Sequence, residues 1–334
     1  MRRFCVAAAS VAVLMTGMLM AQIPTPTIIK KSPALDALIA PDAAFEKLGE
    51  GFKWTEGPVW NAKGGFLLFS DIPNNAINKW APGKGISEFL KPSGYHGATP
   101  FTGPEPGTNG LTFDAQGRLV ACQHGDRQVA RWENGAWTPL AARYEGKRLN
   151  SPNDLVFHSS GALYFTDPPY GLPKRWDDPA KELPYQGVYR RAVDGTVTLL
   201  TKELNAPNGL AFSPDEKTLY VAQSDPTKAI WMKYPVKADG TIGAGSVLLD
   251  VTAQVAASNP GLPDGFKLDT KGNLWATGPG GVLIIAPDGT HLGTLSTGVP
   301  TANVAWGDDG STLYITANTA VFRVKTKTTG KIPG

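Results

Sequence analysis

Six polar residues stand at the head of one recurring pattern: Glu56, Asn109, Asn153, Asn208, Asp264 and Asn303. Each carries a carboxylate or carboxamide oxygen. Brought together, they would form an oxygen-only cage, which suits a hard cation. Calcium takes six to eight oxygen ligands at about 2.3–2.6 Å and accepts amide oxygens beside carboxylates. Zinc prefers nitrogen and sulfur. The histidines (His96, His124, His158 and His291) are scattered, with no HExxH or CxxC spacing. A lone Asn-Gly, Asn-Asp or Asp-Gly pair reads as a turn. Glu56 does not, because glutamate is a poor turn former, and its sharing one register with the other five argues for a site.

A repeat is what can gather residues spread over most of the chain. Each head residue opens an alternating apolar run, a turn and a second run. The units are "EGPVWNAKGGFLLFSD" from Glu56, "NGLTFDAQGRLVACQ" from Asn109 and "NDLVFHSSGALYFTD" from Asn153. They continue as "NGLAFSPDEKTLYVAQS" from Asn208, "DGFKLDTKGNLWATG" from Asp264 and "NVAWGDDGSTLYITA" from Asn303. Period two is the strand period. After the unit from Asn208, "AIWMKYPV" and "SVLLDV" bring the strands to four. Such units at intervals of roughly 40 to 55 residues predict propeller blades. The fold class is therefore all-β, a six-bladed β-propeller with four-stranded blades. Rotation about the axis then brings residues at the heads of the innermost strands to one mouth of the channel. A β-sandwich or parallel β-helix fits the spacing less well. Short helices are expected only near "SPALDALI" and "RWDDPAKEL". The charged loop over 174–185 is expected to cross one face, as a solvated insertion or as a lid. Strands within 23–53 are expected to close the ring with the last blade.

Hydrophobic residues at 42% and charged residues at 18% place the chain among globular proteins rather than disordered ones. The net charge of +3, with no basic run interleaved with aromatics, gives no nucleic-acid footprint. Arg2 and Arg3, the uncharged run from Phe4 to Met20, and Ala21 read as an export signal. The domain reading is a signal peptide over 1–21, an N-terminal segment over 22–50 and the propeller over 51–330. Export puts the mature chain in the periplasm or outside the cell, free of the membrane; a retained N-terminal anchor is the rival reading. Cleavage leaves Cys122 as the remaining cysteine, so no intrachain disulfide is expected.

"EGPVW", "SPNDLVF", "PNGLAFSPDEKTLYVA" and "PDGFKLDTKGNLWAT" resemble the SMP-30/gluconolactonase/LRE family of six-bladed propellers. "LNSPNDLVFHSSGALYFTDPPYGL" is most similar to its bacterial gluconolactonase branch. The resemblance spans about residues 51–324. It implies hydrolysis of a sugar lactone such as D-glucono-1,5-lactone, and one divalent metal in the channel. That metal is calcium in the first instance, with Zn2+, Mg2+ or Mn2+ as substitutes. It further implies that Glu56, Asn153, Asn208 and Asp264 are the ligands. Asp264 is the acid/base or nucleophilic carboxylate, and general-base and covalent routes both stay open. Animal members carry a substrate-binding arginine where this chain has Ser151; Arg148 is nearby.

"ACQHGDRQVAR" places His124 and Arg127 after the second strand of their unit, toward the same mouth. With Asn109 and Tyr170 they are the substrate-binding candidates. Arg127 is also open to a structural ion pair, and Trp54 and Trp60 read as core. The chain lacks a GxSxG elbow, a P-loop and a dinucleotide glycine pattern. Two other functions fit the same site: a propeller hydrolase acting on another lactone or a phosphotriester, and a non-catalytic calcium-binding propeller. The expected partner is a small lactone; oligomeric state is unspecified.

Overall fold

The computed structural model describes residues 23–334; the export-signal reading of 1–21 lies outside them. Six antiparallel sheets surround a central channel. Blade 1 runs from the axis outward as Thr55–Asn61, Phe66–Asp71, Ala76–Ala81 and Gly85–Leu90. The innermost strands of blades 2 to 6 are Thr108–Phe113, Leu155–Phe157, Pro207–Phe212, Phe266–Leu268 and Thr301–Gly307. Among the described residues the only helices are short 3-10 turns. Two of them, Pro33–Ala37 and Arg175–Asp177, fall in the two segments expected to be helical.

The ring closes with strands from both ends of the chain. Blade 6 takes three strands from the C-terminal region, and its outermost, Phe45–Glu50, from the N-terminal segment. Thr27–Lys30 adds a fifth strand to blade 5. Opening the ring would strip blade 6 of its outer strand and expose both sheet edges.

The strands are apolar on both faces because the core is six wedges, one between each pair of neighbouring blades. Alternate residues serve alternate wedges, as period two requires. In blade 1, Leu67 and Phe69 pack on Tyr314 and Val321 of blade 6, while Leu68 between them packs on Leu111 and Leu119 of blade 2. Cys122 is buried in the wedge between blades 2 and 3. Fully burying a large aliphatic or aromatic side chain contributes about 1.5–3 kcal/mol. The wedges therefore hold the blades radially without a disulfide.

Candidate active site

The head residues lie in or just before the innermost strands, and the chain bends at most of them. Strand register shifts between Glu56 and Val59, Thr108 and Leu111, Pro207 and Leu210, and Thr301 and Asn303. Such bulges re-aim a side chain that regular pleating would point into a wedge. The Asn-Gly and Asp-Gly pairs are thus not hairpin turns. Their glycines let adjacent blades touch. A Cβ on Gly57 (φ +49°) would sit 2.0 Å from the Asn109 carbonyl oxygen, and one on Gly265 1.9 Å from Asn303 Cγ.

Contacts between head residues run round the channel. Gly110 N–H donates to the Asn153 carbonyl at 2.8 Å, and Thr166 Oγ1 donates to the Asn208 carbonyl at 2.8 Å. Gly209 lies against the Asp264 carbonyl, and Gly265 N–H donates to the Ala302 carbonyl at 2.8 Å. Asn303 Nδ2 closes the circle on Glu56 Oε2 at 3.2 Å. These links fix where the side chains start.

The structure leaves a set of oxygens without protein partners. Asn109 Oδ1, Asn153 Oδ1 and Asp264 Oδ1 are buried and make no hydrogen bond. Asn208 donates from Nδ2 to Ser224 Oγ at 3.0 Å, and Ser224 is anchored on the Pro263 carbonyl; this assigns the Asn208 oxygen to the opposite side. Glu56 is 2% exposed. Burial, with Asp154 adding to it, pushes its carboxyl up to about 8, against hydrogen bonds from Gly57 and Asn303. Burial also holds the Asp264 carboxyl well above the usual range, with Glu56 and Asp154 adding to the push. Crowded acids and orphaned oxygens together call for positive charge. No group of three or more His, Cys, Asp or Glu side chains among the described residues is arranged to hold a metal. Amide oxygens must therefore supply part of any ligand set. Two carboxylates plus amide oxygens, without nitrogen or sulfur, fit a calcium-type cation.

Asn303 departs from the expectation that all six heads present oxygen. Its Oδ1 accepts from Val304 N–H at 2.9 Å and from Lys267 Nζ at 3.4 Å. Its Nδ2 therefore faces Glu56 and, at 3.4 Å, Asp154 Oδ2. Asn303 holds Glu56 in place. Asp154 occupies the position that is glycine in blades 1, 2, 4 and 5, and is 2% exposed. Burial raises its carboxyl, and the Lys267 ammonium pulls the other way. A hydrogen bond to a charged group is worth about 1.5–3 kcal/mol. Asn303→Ala is accordingly expected to weaken calcium binding roughly tenfold and to leave kcat at saturating calcium nearly intact. Calorimetric titration with parallel rate measurements checks this; loss of all turnover at saturating calcium would refute the positioning role.

Arg127 also departs from its reading as a substrate-binding residue. Its Nε donates to the Leu149 and Asn150 carbonyls at 2.8 and 3.0 Å, and its Nη1 to the Ala180 carbonyl at 2.9 Å. The side chain, 5% exposed, ties blade 2 to the loops of blade 3 through Nε and Nη1, while Nη2 is buried without a partner. Arg148 is turned to the Asp126 carbonyl at 3.3 Å. Ser151 is buried, and its Oγ links the Pro168 carbonyl and Gly171 N–H, both at 2.8 Å. That clamp sets Tyr170 between them. The Tyr170 hydroxyl is buried without a partner, its ring meets Trp176 edge-on, and Asp264 adds to the upward push on its phenol after burial.

The insertion over 168–186 is pinned rather than free. Trp176 Nε1 donates to the Asn205 carbonyl at 3.2 Å in the approach to blade 4, and Arg175 Nη2 lies 3.5 Å from Glu105 ahead of blade 2. Glu105 and Lys267 carry no clear sequence signal. Glu105 sits in "GPEPG", which reads as a turn, and Lys267 looks like the solvent-side residue of an alternating strand. Its place on an innermost strand was the signal that it faces the channel.

The fold agrees with comparisons against known proteins. Residues 54–319 match the model of the SMP-30/Gluconolactonase/LRE-like region. A gluconolactonase of Zymomonas mobilis is 43% identical over 311 residues, covering 91% of this chain and 87% of its own. A pentonolactonase of Haloferax volcanii is 25% identical over 271 residues, covering 78% and 80%. Among solved structures, a gluconolactonase of Xanthomonas campestris superposes with a TM-score of 0.77 at 31% identity, covering 91% of this chain and 98% of that one.

Proposed function

The chain belongs to the SMP-30/gluconolactonase/LRE-like family of lactone-hydrolysing propellers, and on that premise we propose that it opens D-glucono-1,5-lactone to gluconate with one calcium ion. The observation that carries this reading is the trio of buried, partnerless oxygens on Asn109, Asn153 and Asp264. Glu56, Asn153, Asn208 and Asp264 would hold the ion. When bound, a divalent cation supplies Lewis acidity at the lactone carbonyl oxygen and offsets the charge that develops there.

This chain's residues do the rest. Asp264 Oδ1 takes the proton of the attacking water, or itself attacks the carbonyl carbon. Glu56 is kept in position by Asn303 and Gly57. Asn109 Oδ1 and the Tyr170 hydroxyl have free hydrogen-bonding capacity for substrate hydroxyls. Export to the periplasm or beyond remains part of the proposal. A pH-indicator assay over aldonolactones, other lactones and phosphotriesters tests the substrate class. Gluconolactone opening above the spontaneous rate is expected; turnover of phosphotriesters with none of any lactone would overturn it.

A further inference from the structure

His124 is fully buried, yet neither ring nitrogen makes a protein hydrogen bond. Its backbone N–H donates to the Gly107 carbonyl at 3.1 Å, and Gly171 packs so close that a Cβ there would lie 2.5 Å from His124 Cβ. The ring is therefore placed by backbone on both sides. Nδ1 lies 3.1 Å from Glu105 Oε2, within ion-pair distance although not aligned as a hydrogen bond. Arg175 Nη2, from the insertion, approaches the other oxygen, Glu105 Oε1, at 3.5 Å. Tyr170 precedes the Gly171 that packs on His124 and meets Trp176, the neighbour of Arg175, so Tyr170, His124 and Glu105 lie together under the insertion.

A buried imidazole with a bare Nε2 is costly unless a water or a ligand completes it. A carboxylate at Nδ1 fixes the orientation of the ring and directs Nε2 away from it. Catalytic hydrogen bonds without substrate are often long or bent and tighten in the complex.

We propose that Glu105 and His124 form the proton-delivering pair of the lactonase site, with Nε2 serving the ring oxygen of the lactone. The step rests on the lactonase reading. Water adds to the carbonyl carbon and gives one proton to Asp264. The bond from that carbon to the ring oxygen then breaks, and its electron pair stays on the ring oxygen. That oxygen takes the proton from His124 Nε2–H, becoming the free hydroxyl. The product acid and Asp264 each release a proton; one recharges His124 and the other leaves to solvent. Glu105 acts through His124 and is a positioning residue.

An alkoxide is a strongly basic leaving group and needs this proton, whereas a phenoxide does not. The test compares D-glucono-1,5-lactone with dihydrocoumarin, an aryl lactone, on calcium-loaded protein. His124→Gln is expected to lower kcat on gluconolactone by roughly 100-fold or more. On dihydrocoumarin the loss is expected to be at least tenfold smaller. Glu105→Gln, at a partly exposed position, is expected to show the same leaving-group pattern with a loss of roughly tenfold on gluconolactone. It keeps the test alive should His124→Gln misfold. Equal losses on both lactones, or a raised KM with kcat unchanged, would overturn the pair and leave His124 a binding residue. A wild-type protein that opens neither lactone would instead overturn the lactonase reading beneath it.

Discussion

Asp264→Ala is expected to lower kcat/KM on gluconolactone by about a thousandfold or more, and to weaken calcium binding as well. Two proposed roles meet in this side chain. Its Oδ1 is buried and partnerless, and its carboxyl is held above the usual range by burial and by Glu56 and Asp154. A positioned general base contributes about 10² to 10⁴ in rate, and losing a charged ligand adds to that. Asp264→Asn separates the roles. It keeps an oxygen and the side-chain volume but cannot take a proton. Calcium should still bind, more weakly, while turnover falls by roughly 10² to 10³. Calorimetric calcium titration beside initial rates checks both; near-wild-type turnover in Asp264→Asn would remove Asp264 from the chemistry.

Stripping the metal is expected to make stability depend on pH in a particular direction. Burial pushes the Glu56 carboxyl up to about 8 in the fold, from an ordinary value of 4.5. Asp264, and Asp167 at about 7, are raised in the same sense, all chiefly by burial. The native state then keeps protons that the unfolded chain has released. Stability of the metal-free protein therefore falls as pH rises from about 4.5 to about 8. Calcium held at the ring as proposed would act oppositely, because it needs the carboxylates ionised. At a free concentration a hundredfold above Kd it adds about 2.7 kcal/mol. For a chain of this size that raises the thermal midpoint by roughly 4 °C. The gap between calcium-loaded and stripped protein should thus be widest near pH 8. Thermal melts at pH 5 and 8 measure it, and identical midpoints at pH 8 with and without calcium would count against an ion at the ring.

The blades were legible because period two and a turn mark each hairpin, and because six wedges require apolar residues on both strand faces. Register was legible too: Asn153 stands with Glu56, Asn208 and Asp264 where the repeat aligned them. What alignment could not supply was the orientation of an amide. Asn303 shares the register, but Lys267 and Val304 claim its oxygen and turn its nitrogen inward. Nor could it show why glycine follows the head residue in four blades. That became clear once neighbouring strands were seen within a Cβ radius of each other. Arg127 carries no sequence signal for the backbone carbonyls that engage its Nε and Nη1, since they come from residues 22 to 53 positions further along the chain. Glu105 lies in a loop with no periodicity, and only the folded chain brings it to His124.

The most direct test is turnover of D-glucono-1,5-lactone, followed by pH-stat, with protein stripped of metal and then titrated back with calcium. The stripped protein should run at the spontaneous rate alone, and activity should rise with added calcium and level off at one ion per chain. Full turnover by the stripped protein, or none at any calcium concentration, would contradict a calcium-dependent lactonase built on Glu56, Asn153, Asn208 and Asp264.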